Sequence, residues 1–372
     1  MALVLTEEQT MLRDSARGFL SSEAPVAHLR ALRDQKDAKG YSPALWQRCT
    51  EMGFAGVLVP EAHGGLGLTL TDAAVIAEEI GRTLTPLPFL STSVLAACLI
   101  AGSTREDLMS MWLPKIAAGE AVVALAIDEA ARHRPDHIAA KAVASGSGFT
   151  LDGEKLLVVD GHVADLLLVV AMLEEAPAVF AVEPKARGVA IERTIMADAH
   201  NAARIRFSGV SLGREALVAG KAEAAALIER VLDAGRIAVA AELLGAAEEA
   251  FARTLAYLKE RQQFGRKIGE FQALQHRASM LYCDLELARA ALLQAAERVD
   301  DGKDARMAVS VAKAKCCRTA NLAVQEGVQM HGGIGMTDAF EMGFFMKRVR
   351  VLQELLGDAN FHDNRLATLS GY

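Results

Sequence analysis

The chain has 372 residues, 52% of them apolar and 23% charged, with a formal net charge of −7. That length suits two or three packed units with a sizeable core, and the acidic balance argues against a nucleic-acid-binding face. The cysteines Cys49, Cys98, Cys283, Cys316 and Cys317 are odd in number and form no CxxC pair, which reads as reduced, buried thiols and no metal framework.

Residues 1–119 carry a helical pattern. "LTEEQTMLRDSARGFL" opens on a Thr6 cap followed by Glu7 and Glu8, which suit the positive end of a helix and exclude a signal peptide. No run of about 18 uninterrupted apolar residues occurs here or later, so no membrane span is expected and the chain reads as cytoplasmic. "VLVPEAHGGLGLTL" is an irregular loop marked by Pro60, Gly64, Gly65 and Gly67, and "TLTDAAVIAEEIGR" is a further helix with Thr71 as cap and Gly81 as stop.

In residues 120–215 the texture changes to short runs rich in Val, Ile and Leu, among them "AVVALAI", "DLLLVVAML" and "AARIRFSGV". These read as strands of an antiparallel β domain, with turns at Asp152-Gly153 and Asp160-Gly161. Residues 216–372 return to long helices. Ile237, Leu244, Phe251, Leu255 and Leu258 form one apolar stripe; Leu274, Leu281, Leu285 and Leu292 form the next, closed by Gly302. A third helix runs from about Ala305 to Met330, and the set makes a helical bundle, so the fold class is α+β in the order α, β, α.

Two stretches carry chemistry. "RQQFGRKIGEFQ" joins two long helices, with Arg261 offering a planar fork for a phosphate and Phe264 an apolar plate. "QMHGGIGMT" places Gly332 and Gly333 where bare backbone amides suit an anion. Taken singly, the first also reads as a plain helix link and the second as a bend. No GxGxxG follows a strand, so a Rossmann site is not supported.

Together with "LVPEAHGGLGL" and the α, β, α order, these stretches resemble the acyl-CoA dehydrogenases, flavoproteins that oxidise acyl-CoA thioesters. The resemblance covers nearly the whole chain. It implies an N-terminal helical domain, a middle β domain and a C-terminal four-helix bundle, FAD as cofactor, and assembly as a dimer of dimers. By position, Arg261, Gln263, Phe264, Gln272, Gln329, Gly332 and Gly333 match residues that hold the adenosine-diphosphate half of a neighbour's FAD. Arg236 matches an arginine near the acyl pocket, the expected substrate contact.

The chain departs from the family where the reaction needs a base. Of the two places where the family carries its carboxylate, one holds Leu356, followed by Gly357, and the other holds Gly235. Glu354, two residues before Leu356, points about 200° away on a helix and reads as a surface residue. Asp233 fails by the same geometry unless the helix bends, yet remains the best stand-in; Glu242 shares the face of Gly235 but lies about 10 Å along the helix. In the middle domain, "IDEAARHRP" replaces a Thr-Glu-Pro-Gly-like loop, and Leu157 and Val159 stand where a Trp and a hydroxyl residue meet the flavin ring.

Residues that serve a neighbour's FAD are thus kept, and those that serve the chain's own flavin ring are eroded. Three readings follow: an acyl-CoA dehydrogenase subunit whose base comes from a paralogous second chain, resembling bacterial two-chain members linked to steroid breakdown; a homotetramer using a non-standard base such as Asp233; or an inactive scaffold with the same fold. A carrier flavoprotein is one expected electron acceptor, oxygen the other.

Overall fold

In the computed structural model, which describes residues 4–372, Thr6 caps the first helix, α1 (Glu7–Glu23), as its spacing predicts. Its hydroxyl accepts from the Gln9 amide while its own amide donates to the Gln9 side chain, a closed capping box. The helices α2 (Val26–Asp34), α3 (Pro43–Glu51), α4 (Leu70–Thr83), α5 (Ala97–Ala101) and α6 (Glu106–Ala117) follow. Eight strands come next: β1 (Val123–Ala126), β2 (Lys141–Ser145), β3 (Gly148–Val159), β4 (Leu166–Leu173), β5 (Ala176–Val182), β6 (Val189–Ile195), β7 (Asn201–Gly213) and β8 (Leu217–Ala219). The C-terminal part holds α7 (Lys221–Glu260), a small hairpin of β9 (Gln262–Gln263) and β10 (Arg266–Lys267), then α8 (Gln272–Asp300), α9 (Arg306–His331), α10 (Met342–Glu354) and α11 (Ala359–Leu369). Among the described residues no helix is long and apolar enough to cross a membrane.

Two compact units emerge, one of Met1–Ala31, Leu70–Thr85 and Arg236–Tyr372, the other of Leu32–Thr69 and Pro86–Gly235. In the first, the pattern of small residues decides how α4 meets α7. Gly81 does not stop α4, as expected from its sequence, but lies inside it. A Cβ there would stand 2.2 Å from the Glu242 carbonyl oxygen, and one at Gly245 would stand 1.8 Å from that of Glu78. Each helix offers the other a glycine, so their backbones touch. Buried carboxylates around the crossing are paired: Glu79 with Arg17 at 2.7 Å, Glu78 with Arg289 at 3.0 Å, and Glu248 with both Arg82 and Arg289.

Thr71 is not the cap of α4 either. Asp300, from the last turn of α8, accepts from the Leu70 amide at 2.8 Å, the Thr71 amide at 3.0 Å and the Thr71 hydroxyl at 2.5 Å. A carboxylate remote in sequence thus satisfies the orphan donors and the dipole of the helix start.

The second unit is built on one eight-stranded sheet in the order β6-β7-β3-β2-β4-β5-β8, with β1 on β4. Pairing is antiparallel apart from β1 and β2, each parallel to β4. Leu151, Leu167, Val169, Phe180, Ile205 and Phe207 form its core. Asp160-Gly161 turns as expected. Asp152-Gly153 does not: it sits inside β3 at a shift of register, where Gly153 has φ +144° and Asp152 accepts from the Gly209 amide at 2.7 Å. A glycine inside a strand signals a bulge as readily as a turn.

Replacing Asp300 by Ala removes the cap of α4 and is expected to lower the unfolding free energy by about 1–2 kcal/mol, with Asp300→Asn losing less, measured by urea denaturation.

Candidate functional site

The link between α7 and α8 is a tight hairpin, with Gln263 paired to Arg266 and Gln262 to Lys267. Its two turn residues, Phe264 at φ +54° and Gly265 at φ +77°, both take the left-handed backbone that two-residue hairpins need. Phe264, a large residue in that conformation, is 90% exposed, and its ring lies edge-on to Phe271 at 6.2 Å. Arg266 stacks on the other aromatic, with its guanidinium carbon 4.1 Å from the Phe271 ring centre. Arg261, Gln263 and Gln272 are exposed as well, and among the described residues the Arg261 guanidinium meets no carboxylate.

At the end of α9, Gly332 adopts φ +64° and ψ −140°, a conformation open to glycine. A Cβ at Gly332 or Gly333 would meet nothing within 4 Å, so bare amides border open space, and Gln329 is exposed beside them. The two links are tied together by an aromatic stack that sequence reading missed. His331 lies 4.5 Å from Tyr257, one turn before Arg261, and 4.5 Å from Phe340. Its Nδ1 donates to the Gly327 carbonyl, and burial pushes its pKa below the ordinary value, so the ring stays neutral. The signal lay in a histidine directly before Gly-Gly. An unpaired guanidinium and unobstructed glycine amides fit the pyrophosphate of a dinucleotide.

In the other unit, the loop after β1 is held by its own chain. Glu129 accepts from the Ala139 and Ala140 amides and from the Lys155 amino group at 2.6 Å, while Lys155, fully buried, also donates to the Ile127 carbonyl at 3.0 Å. Asp128 pairs with His133 at 2.9 Å. Leu157 has φ +53° at an irregularity of β3, and it and Val159 are half-buried; neither offers a side-chain hydrogen bond.

The turn after α10 holds Leu356. This residue, rather than Gly357 alone, takes the left-handed backbone, at φ +57° against φ +105° for the glycine. Three buried side chains fix it. Arg236 Nε reaches the Leu356 carbonyl at 3.4 Å, and His362 Nε2 donates to the same oxygen at 3.2 Å. Lys313, fully buried on α9, donates to the carbonyls of Gly357 at 2.8 Å, Leu352 at 3.2 Å and Gln353 at 3.3 Å. Glu354 points elsewhere, paired with Arg350 at 3.0 Å. Glu242 is bound to Arg348 at 2.6 Å. Helix α7 runs unbroken through Gly235, so no bend turns Asp233 into that glycine's direction; Asp233 is buried, three residues before Arg236 and on a neighbouring face.

His362 is forced neutral. Burial, then the charges of Lys313 and Arg236, push its pKa down to about 2. Between that value and the ordinary 6.5 the unfolded chain holds a proton that the folded one refuses, so stability falls as pH drops below 6.5. Urea denaturation at pH 7 and pH 5 is expected to show a His362→Gln variant losing about 2 kcal/mol less on acidification than the parent.

Family models agree with this architecture: an acyl-CoA dehydrogenase N-terminal domain matches residues 6–120 and an acyl-CoA dehydrogenase C-terminal domain matches residues 225–369. Acyl-CoA dehydrogenase IpdE2 of Mycobacterium tuberculosis is 30% identical over 354 residues, covering 94% of this chain and 93% of its own. A variant of the Tcur3481-Tcur3483 steroid ACAD superposes with a TM-score of 0.89 at 32% identity, over 98% of both chains. The ChsE4-ChsE5 complex of Mycobacterium tuberculosis gives a TM-score of 0.91 at 25% identity over the full length of both. The chain belongs to the acyl-CoA dehydrogenases, a family of FAD-dependent enzymes.

Proposed function

We propose that this chain is the base-lacking subunit of a two-chain acyl-CoA dehydrogenase, a tetramer with a paralogous chain, that dehydrogenates a bulky, steroid-like acyl-CoA thioester. The observation that carries the reading is Leu356. It stands where the resemblance puts the carboxylate, in a turn held by Arg236, His362 and Lys313, so the backbone cradle is kept while the base is gone. Relatives described as a steroid ACAD and as a two-chain complex support the substrate class and the assembly. The family's three-part division then falls at 1–119, 120–215 and 216–372, the working compartment is the cytoplasm, and a carrier flavoprotein takes the electrons.

FAD, when bound, would supply the acceptor for the β-hydride, and a carboxylate of the paralogous chain would take the α-proton. In this chain, Arg261 would hold the pyrophosphate of the partner's cofactor, with the Gly332 and Gly333 amides as donors to the same anion. Gln263, Gln272 and Gln329 would supply further donors, and Phe264, exposed and fixed by its hairpin, would cover the adenosine half. Leu157 and Val159 give this chain's own half no side-chain bond to a flavin ring. Arg236 borders the acyl end by shaping the Leu356 turn.

A second reading has one observation behind it: Asp233 is a buried carboxylate on α7 close to Arg236, which suits a homotetramer with that residue as base. The scaffold reading leaves the bare Arg261 fork and the open glycine amides without a purpose.

FAD content and mass, measured on the chain alone and co-expressed with a paralogue carrying the late glutamate, separate these readings. The two-chain assembly predicts little flavin alone, and a coloured, active tetramer on co-expression. One FAD per chain in an active homotetramer that Asp233→Asn silences sinks it. In the working assembly, Arg261→Ala is expected to weaken FAD binding about 10- to 150-fold, the worth of one charge-assisted hydrogen-bond pair, read by flavin release on dilution.

A further inference from the structure

Within the unit of Leu32–Thr69 and Pro86–Gly235, a cavity of about 320 Å³ opens between α6 and the sheet, built from none of the residues ascribed above to flavin or thioester. Trp112 and Met111 of α6 form one apolar wall and Leu212 of β7 part of the other, while Met111 is 57% exposed at its mouth. Such a size and lining suit a small ligand or one large side chain.

Polar groups at the cavity determine its charge. Arg105 is spent: Nε and Nη2 bind Asp107 at 2.8 and 2.5 Å, and Nη1 donates to the Glu215 carbonyl at 2.7 Å and the Leu217 carbonyl at 2.5 Å. That arginine is therefore a brace that ties the start of α6 to the chain between β7 and β8, and its charge is cancelled by Asp107. Two further carboxylates, Glu183 and Glu215, line the cavity from the exposed side; among the described residues neither side chain has a hydrogen bond or ion pair, and Glu215 lies in the field of Arg105. The lining is thus a braced apolar slot with two exposed carboxylates at its edge, and the Lys115 ammonium lies 4.9 Å from the Trp112 ring centre.

We propose that this cavity is a docking socket for an arginine side chain on a loop of a partner protein, whose apolar stem lies along Trp112 and whose guanidinium meets Glu183 and Glu215. Charge complementarity selects the cation. A planar fork that stacks on indole and bonds carboxylates two at a time fits better than a compact ammonium. The cavity volume matches a single inserted side chain and leaves no room for a folded segment.

The test uses fluorescence. The chain has two tryptophans, Trp46 and Trp112, and Trp46 is buried, so Trp46→Phe leaves Trp112 as the sole reporter. Butylguanidinium is titrated at constant ionic strength against its neutral isostere butylurea and against pentanoate. The expected result is a saturating change in Trp112 emission in the millimolar range, with butylguanidinium about fivefold tighter than butylurea, the worth of two exposed ion pairs. Glu183→Gln together with Glu215→Gln, both at exposed positions, is expected to erase that preference while leaving the butylurea response unchanged. Equal binding of the three probes, or no response from Trp112, overturns the proposal. Micromolar binding of the free cation would mark a metabolite site and overturn the side-chain assignment. A fall in the mass of the assembly on making the double variant would assign the socket to another copy of this chain and overturn the partner assignment.

Discussion

A lysine amino group held by main-chain carbonyls organises the C-terminal part of this protein. Lys313 is fully buried, and its bonds go to Leu352, Gln353 and Gly357 at the end of α10, with Cys317 Sγ nearby at 3.3 Å. A buried cation without a carboxylate is tolerable only where aligned carbonyls supply the negative end, as the last turn of a helix does. Its presence fixes much around it. With burial as the larger cause, its charge helps keep His362 neutral, which leaves Nε2 as a donor to Leu356 and Nδ1 as the acceptor of the Ser310 hydroxyl. With Arg236 on the same carbonyl, three helices converge on one turn.

The consequence for chemistry is a separation between cradle and reactive group. The turn is built by backbone acceptors and by side chains on other helices, none of which depends on what residue 356 carries. A leucine can therefore occupy it without loosening it, and even accept a left-handed backbone there, a strain of order 1–2 kcal/mol repaid by the bonds to its carbonyl. On the proposed reading, an absent base is in this sense cheap for the fold, while a leucine there leaves this chain without the proton acceptor that dehydrogenation requires. On that reading a second chain supplies one, and the assembly, rather than the subunit, is the catalytic entity.

The features of the helical unit proposed above to hold a flavin look outward. Phe264 at 90% exposure, a guanidinium with no carboxylate beside it and glycine amides bordering open space are costly or idle in an isolated chain. The Tyr257-His331-Phe340 stack holds the two links side by side, so these groups are already ordered before any cofactor arrives. Preorganised and unsatisfied, they describe a surface completed by something that is not part of this chain.

Local chemistry made the Thr6 cap, the Asp160-Gly161 turn and the long third bundle helix legible in the sequence, because each depends on a few adjacent residues. The fold class followed from texture, with apolar spacing changing from helical to strand-like and back. Where glycine was read as a stop or a turn, at Gly81 and Gly153, tertiary structure decided otherwise: a missing Cβ admits another backbone as well as it admits a positive φ, and only the neighbour shows which. The cap of α4 comes from Asp300, some 230 residues away, and the Leu356 turn rests on Arg236, Lys313 and His362. Such contacts have no local signature. The sequence determined which groups this protein carries; the packed chain decided what each of them touches.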